Sequence, residues 1–224
     1  NGSHQIEVHQ VAKAARVVSE SVSASNEKID PSKSIYEQYD SGKFKNAPAD
    51  LFDTRSYQNP TITVGKDGGD TFQLGKKRIV ESESAPITVT VTDSEGSPVE
   101  YSVVDAFSGD DSANEVMINY ETGELTFNKT LAEGSKIDVS EFEYKTISFS
   151  FTTYDKDGNK ITNDEAGEAF TFTFDADATL DQIMTTISSS KVGISAFYDS
   201  FTDRISFQRT ETGHLNPNKD KTDP

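Results

Sequence analysis

The chain has 224 residues and no cysteine or tryptophan, and its 21 lysines and arginines face 38 aspartates and glutamates for a net charge of −17. Such a charge repels phosphate backbones and anionic lipid surfaces, so neither nucleic acid nor a membrane is an expected partner. The absence of cysteine excludes disulfides, thiolate zinc sites and cysteine nucleophiles, and the length suits one large or two small domains with real cores.

Residues 1–4, NGSH, read as a tag remnant. Ile6 and Val8 alternate with Glu7 and His9 as in a half-buried strand, and Val11, Ala14, Ala15 and Val18 then fall at helical spacing. Residues 19–60 are polar and irregular, yet they carry Ile35, Tyr36, Tyr39, Phe44, Leu51, Phe52 and Tyr57. A disordered tract rarely holds so many large apolar groups. The expectation is a long loop anchored on a sheet, with its first part mobile.

From Thr61 onward strand signals dominate. TITVGKDGGDTFQL is expected to form a hairpin at KDGG, where Gly68 and Gly69 supply the positive φ of a tight turn. ITVTVTDSEGSPVEYSVV sets Ile87, Val89 and Val91 on one face and turns at Ser94–Pro98, and MINYETGELTF turns at Thr122-Gly123. TISFSFTTYDKDGNKIT aligns Ile147, Phe149 and Phe151 and turns at Asp157-Gly158, while AFTFTFDADA aligns Phe170, Phe172 and Phe174. Rows of Thr and Ser opposite these apolar faces predict antiparallel sheets, each packed on one side.

TLDQIMTTISSS, Thr179 to Ser190, is the clean helical signal. Leu180, Ile183, Met184 and Ile187 stand at i, i+3, i+4 and i+7, one stripe of a helix that Asp177 or Thr179 can cap. At about three turns it is too short to persist alone in water. It must lie on a sheet, which VGISAFYD, a turn at Ser200–Asp203 and RISFQRT supply. The predicted fold is therefore mainly β, a β-rich α+β arrangement of antiparallel sheets in two subdomains, with one short amphipathic helix packed on a sheet. The polar tail at 214–224 is expected to be flexible.

Candidate chemistry is sparse. In DKDGNKITNDEA, Asp155, Asp157 and Asn159 match positions 1, 3 and 5 of a calcium loop, but Lys160 stands where glycine is needed and Ala166 where the bidentate glutamate is needed. A hairpin turn explains the stretch better. GKDGGD and SGDDSAN read as acidic turns. GKKR, Gly75 to Arg78, lacks the spacing of a P-loop and reads as solvated charge beside a strand end. Asn128 opens the sequon NKT. His4, His9 and His214 are scattered, and no nucleophile–base set stands out. No catalytic, cofactor-binding or metal-binding residue is assigned, and no enzymatic activity or cofactor is expected. No apolar run approaches the ~20 residues that span a bilayer, and no signal peptide is visible.

Two stretches resemble a known family. IEVHQVAKAARVVS, through Ile6, Val8, Gln10, Val11, Ala12 and Ala14, resembles the first head-domain strand of the flagellar filament cap proteins (FliD, hook-associated protein 2), with Val11 in place of the usual leucine. FTFDADATLDQIMTTISSSKVGISAFYDSFTDRISFQRTETG, Phe172 to Gly213, resembles the flagellin-type IN motif. The matching residues are Thr179, Leu180, Ile183, Ile187, Ser188, Val192, Gly193, Ile194, Ala196, Tyr198 and Asp199, with Ser188 replacing the usual asparagine. Flagellins share this motif; a QLA-like strand followed by it is more particular to the cap. The close match covers about a quarter of the chain.

The resemblance implies a head domain at 5–60 plus 147–213, with an extra β-domain inserted at 61–146 and the terminal leg helices of the family missing. It also implies an extracellular protein at the distal tip of the bacterial flagellum that promotes flagellin assembly without covalent chemistry. Flagellin, other cap subunits in a ring and host surface glycans are the implied partners. The alternatives are the outer domain of a flagellin or another hook-associated protein, a secreted adhesin or carbohydrate-binding β-module using Tyr36, Tyr57 or Tyr101 as a stacking platform, and a hydrolase built on paired carboxylates.

Overall fold

The computed structural model describes residues 15–163 and 169–211. The expected strand at Ile6–Val8, the residues from Ile6 to Ala14 that resemble the cap family's first strand, the three histidines and the tail from 214 lie outside the described residues. The chain opens with β1 (Arg16–Val18), α1 (Ile35–Asp40), β2 (Asp53–Tyr57), β3 (Thr61–Thr63), β4 (Gly69–Gln73) and β5 (Ile79–Val80). It continues through β6 (Val89–Thr92), β7 (Pro98–Val103), β8 (Glu115–Asn119), β9 (Glu124–Leu131), β10 (Lys136–Val139) and β11 (Phe142–Phe151). It ends with β12 (Thr153–Tyr154), β13 (Lys160–Ile161), β14 (Phe170–Asp175), α2 (Leu180–Ser189), β15 (Ile194–Asp199) and β16 (Arg204–Arg209). The fold is mainly β with antiparallel sheets and a short helix on one of them, as the alternation predicts.

The chain divides into two compact units, one of residues 49–147 with 174–177 and the other of residues 1–48, 148–173 and 178–224. The boundary between units thus precedes β2, at residue 49, where the sequence had suggested 61.

In the first of these units seven strands run in the order β3-β10-β6-β7-β8-β9-β4 and nearly close on themselves. Val89, Val116, Leu125 and Ile137 are completely buried at its centre. Tyr101 stacks edge-on against Phe127, with centroids 5.1 Å apart. Two expected hairpins form. β6 and β7 pair around a turn that Asp93 ties by accepting from the amides of Glu95 and Ser97, and β8 and β9 pair around Gly123.

The hairpin expected at KDGG does not form. β3 pairs with β10 and β4 with β9, so Gly65–Gly68 is a corner between the two edges of the sheet rather than a turn between neighbours. β10 and β9, which lie apart in the strand order, each offer one arm a partner, and local turn chemistry cannot override those two ladders. A Cβ on Gly68 would lie 2.6 Å from the carbonyl of Leu131, so glycine serves close approach here. β7 and β8 are parallel, a pairing that alternation alone could not reveal.

The other unit holds β1-β16-β15, α1, α2, the β12–β13 hairpin and the 148–151 and 170–173 ends of β11 and β14. Thr179 caps α2 through a full capping box, accepting from the amide of Gln182 while the Gln182 side chain accepts from that of Thr179. Leu180, Ile183, Met184 and Ile187 are buried, the stripe the spacing predicts. The stretch expected to be a loop at 19–60 is partly regular. α1, capped by Ser34, and β2 were too short to show periodicity. The stretch is tied to the sheet where the Ser19 amide donates to Ile205 O of β16, and to the start of α2 where the Ile35 amide donates to Ala178 O and the Asp181 amide donates to Pro31 O; the buried Gln38 bonds the backbone of Asp30 from both ends of its amide. Val18, expected on a helical turn, lies in β1 instead, because β16 offers that backbone a ladder.

Candidate protein interface

The β15–β16 hairpin organises one surface. Its turn begins at Asp199, whose carboxylate accepts from the amide of Phe201 at 2.9 Å and the hydroxyl of Thr202 at 2.6 Å. That Asx turn holds Phe201 outward, 88% exposed. Lys28 closes over the tip, donating to the carbonyls of Ser200 and Phe201 and lying 6.0 Å from the Phe201 ring.

Beneath the tip sits Asp203, 5% exposed and at a φ of 58° that aspartate tolerates better than most residues. Its carboxylate accepts from the hydroxyl of Ser21, from the amide of Ser23 at 2.9 Å, from the hydroxyl of Ser23 at 2.7 Å and from that of Tyr198 at 2.7 Å. Burial pushes the Asp203 pKa up, but the hydrogen bonds from Ser21, Ser23 and Tyr198 outweigh it and hold it at about 2. Burial, then the neighbouring carboxylate, pushes the Tyr198 phenol up. The Ser23 hydroxyl also accepts from the Ile29 amide. A single carboxylate thus clasps the chain at 21–29 to the hairpin.

Ser188 completes the other side of the hairpin. Its hydroxyl accepts from the Ala196 amide at 2.8 Å and donates to the Ala196 carbonyl at 3.0 Å. β16 does not use those two groups, so the helix closes part of the free edge of β15. This gives a physical role to the residue that departs from the resembled motif: a short polar side chain at that helical position reaches the strand's backbone.

On the face of the sheet bearing Phe197, the cross-strand rows are Arg16–Gln208–Ser195, then Val18–Ser206–Phe197, then Arg204–Asp199. Arg16 donates to Ser206 Oγ at 3.2 Å and lies 5.7 Å from the centre of the Phe197 ring. Arg16, Val18, Ser206, Arg204, Thr202 and Asp199 line a shallow groove of about 580 Å³. Among the described residues, five large hydrophobic side chains are exposed; Val18 and Phe197 lie on this face and Phe201 on its turn, while Val17 points to the opposite face of the same sheet. Clusters of this kind mark interaction surfaces.

The stretches singled out in the sequence resolve otherwise. Asp155 is consumed by its own turn, accepting from the amides of Asp157 and Asn159, while Asp157 pairs with Lys156. Among the described residues no group of acids and histidines is arranged to hold a metal. In the basic island GKKR, Lys77 is exposed as expected, but Lys76 and Arg78 are not solvated charge. Lys76 pairs with Asp175 at 3.0 Å and lies 4.5 Å from the Tyr144 ring, and Arg78 pairs with Asp177 at 2.8 Å with both side chains largely buried. Burial alone would lower the Lys76 pKa, but Asp175 raises it. In SGDDSAN, Asp110 accepts from Ser112, and Asn128 bonds the backbone of Ala113 and Glu115, so the sequon asparagine is a loop tether. Tyr101 is core and Tyr57 packs edge-on against Phe142 in one unit, and Tyr36 is half-buried in the other.

The Asp203 clasp and the Arg16–Arg204 groove were not anticipated. Serine and aspartate in turns are too common to signal a clasp, and which strands bring Arg16 beside Ser206 is a matter of long-range pairing. No family model, no curated protein and no solved structure matches the chain.

Proposed function

We propose that this chain is a non-enzymatic binding module that works through protein surfaces. More particularly, we read it as the head region of a bacterial flagellar filament cap, extracellular at the distal tip, where it promotes flagellin assembly. The observation that carries the reading is the segment from Thr179 to Asp199. Its resemblance to the flagellin-type motif includes the capping Thr179 and the buried Leu180, Ile183 and Ile187, and these residues act together with Ser188, which replaces the usual asparagine, in one packed helix–hairpin. The exposed Phe197 and Phe201 beside it suit a module that works by contact.

The test is deletion of the gene that encodes this chain in its source bacterium, with flagellin assayed in the medium and the labelled wild-type protein imaged on filaments. Short filaments, spilled flagellin monomer and label at the tip are expected. Normal filaments and normal swimming would refute the reading.

A further inference from the structure

Among the described residues β1 is an edge strand with an unused ladder. The amides of Ser19 and Arg209 donate to Ile205 O and Ala15 O. With Val17 opposite Phe207, the antiparallel alternation therefore turns Ala15, Val17 and Ser19 toward β16 and leaves the backbone N–H and C=O of Arg16 and Val18 directed away from it. All three residues of β1 are exposed. Such an edge is a template for another strand.

The groove beside this edge is cationic in a chain with 38 acids against 21 bases. Among the described residues neither Arg16 nor Arg204 has a carboxylate within ion-pair distance. Arg204 is exposed with no side-chain hydrogen bond there, although Asp199 lies opposite it in register. The Asp199 carboxylate is engaged with Phe201 and Thr202 instead. The floor between the two arginines is Val18 and Ser206, with Phe197 next in the row.

We propose that this face docks an extended, acidic segment of a partner protein. The segment adds as a strand along β1, bonds the free backbone groups of Arg16 and Val18, and sets carboxylates on Arg16 and Arg204. Charge complementarity selects the acidic side chains, since guanidinium pairs carboxylate with two parallel hydrogen bonds. The free edge selects a polypeptide, because an anionic glycan has no ladder to offer. The inference stands on this face alone and does not depend on the flagellar reading.

The whole chain would be titrated against a fluorescent peptide of alternating glutamate and valine, with backbone amide shifts mapped by NMR. A chain of net charge −17 repels such a probe in general, so binding reports a local site. The expected result is binding with shifts centred on 15–19 and 197–206. Affinity should fall at least tenfold for the R16E/R204E variant, for a lysine-for-glutamate peptide and for a peptide with prolines that block strand pairing. Arg204→Glu alone makes a second variant, one that removes no side-chain hydrogen bond or ion pair among the described residues. Absence of binding, shifts centred elsewhere, indifference to charge reversal, or equal binding by the proline peptide or by dextran sulfate would each overturn the proposal.

Discussion

Replacing Asp203 by asparagine tests the buried clasp. Asparagine keeps the shape and tolerates the left-handed backbone at φ 58°, but its amide nitrogen cannot accept, so the charge goes together with the two hydrogen bonds that one carboxylate oxygen accepts. In the folded chain the Asp203 pKa lies at about 2 against an ordinary 3.8. That displacement corresponds to about 2 kcal/mol of stability. Because the folded value is the lower one, the stabilisation is complete above pH ~4 and is lost as the pH falls from there through about 2. D203N should therefore be less stable than wild type by at least about 2 kcal/mol at neutral pH, and the gap should shrink, without closing, below pH ~4. Subtracting one protein from the other cancels every other carboxylate. Amide hydrogen exchange at residues 19–24 and 203–208 reads the clasp locally, free of the unfolding of the other unit. A gap that is absent at neutral pH, or that persists undiminished at pH 2, would refute the argument that charge-assisted hydrogen bonds hold the hairpin.

Gly123→Ala should destabilise its unit by at least about 2 kcal/mol in urea unfolding, because the new Cβ would lie 1.8 Å from the Lys76 carbonyl at a φ of 72°; a change under 0.5 kcal/mol would show that the backbone yields there. Ser188→Ala should cost about 1 kcal/mol and accelerate exchange of the Ala196 amide, and unchanged exchange would mean that the edge is protected without the hydroxyl. Thr179→Ala breaks the capping box and should lower stability by about 1 kcal/mol, seen as loss of helical circular dichroism at a lower denaturant concentration.

Much of the fold was legible because it is written in short-range periodicity. The stripe of Leu180, Ile183, Met184 and Ile187, the alternation of Phe170, Phe172 and Phe174, and turns such as Asp155–Asn159 depend on residues a few positions apart. Helix or strand and its buried face follow from that spacing alone. The binding face was illegible for the opposite reason. Arg16 meets Ser206 and Phe197, and Asp203 meets Ser21 and Ser23, across more than 170 positions of chain.

The sequence by itself determined the mainly β class, the amphipathic helix and its buried stripe, and the turns placed at Ser94–Pro98, Thr122-Gly123 and Ser200–Asp203. Only the tertiary structure decided that KDGG makes a corner, that β7 and β8 run parallel, that GKKR is tied down by Asp175 and Asp177, and that two arginines share a groove at an open edge. Strand partners are chosen by which ladders and buried faces can be completed across the whole sheet. A local stretch of sequence carries its own propensity, but it does not carry the identity of the strand that will satisfy it.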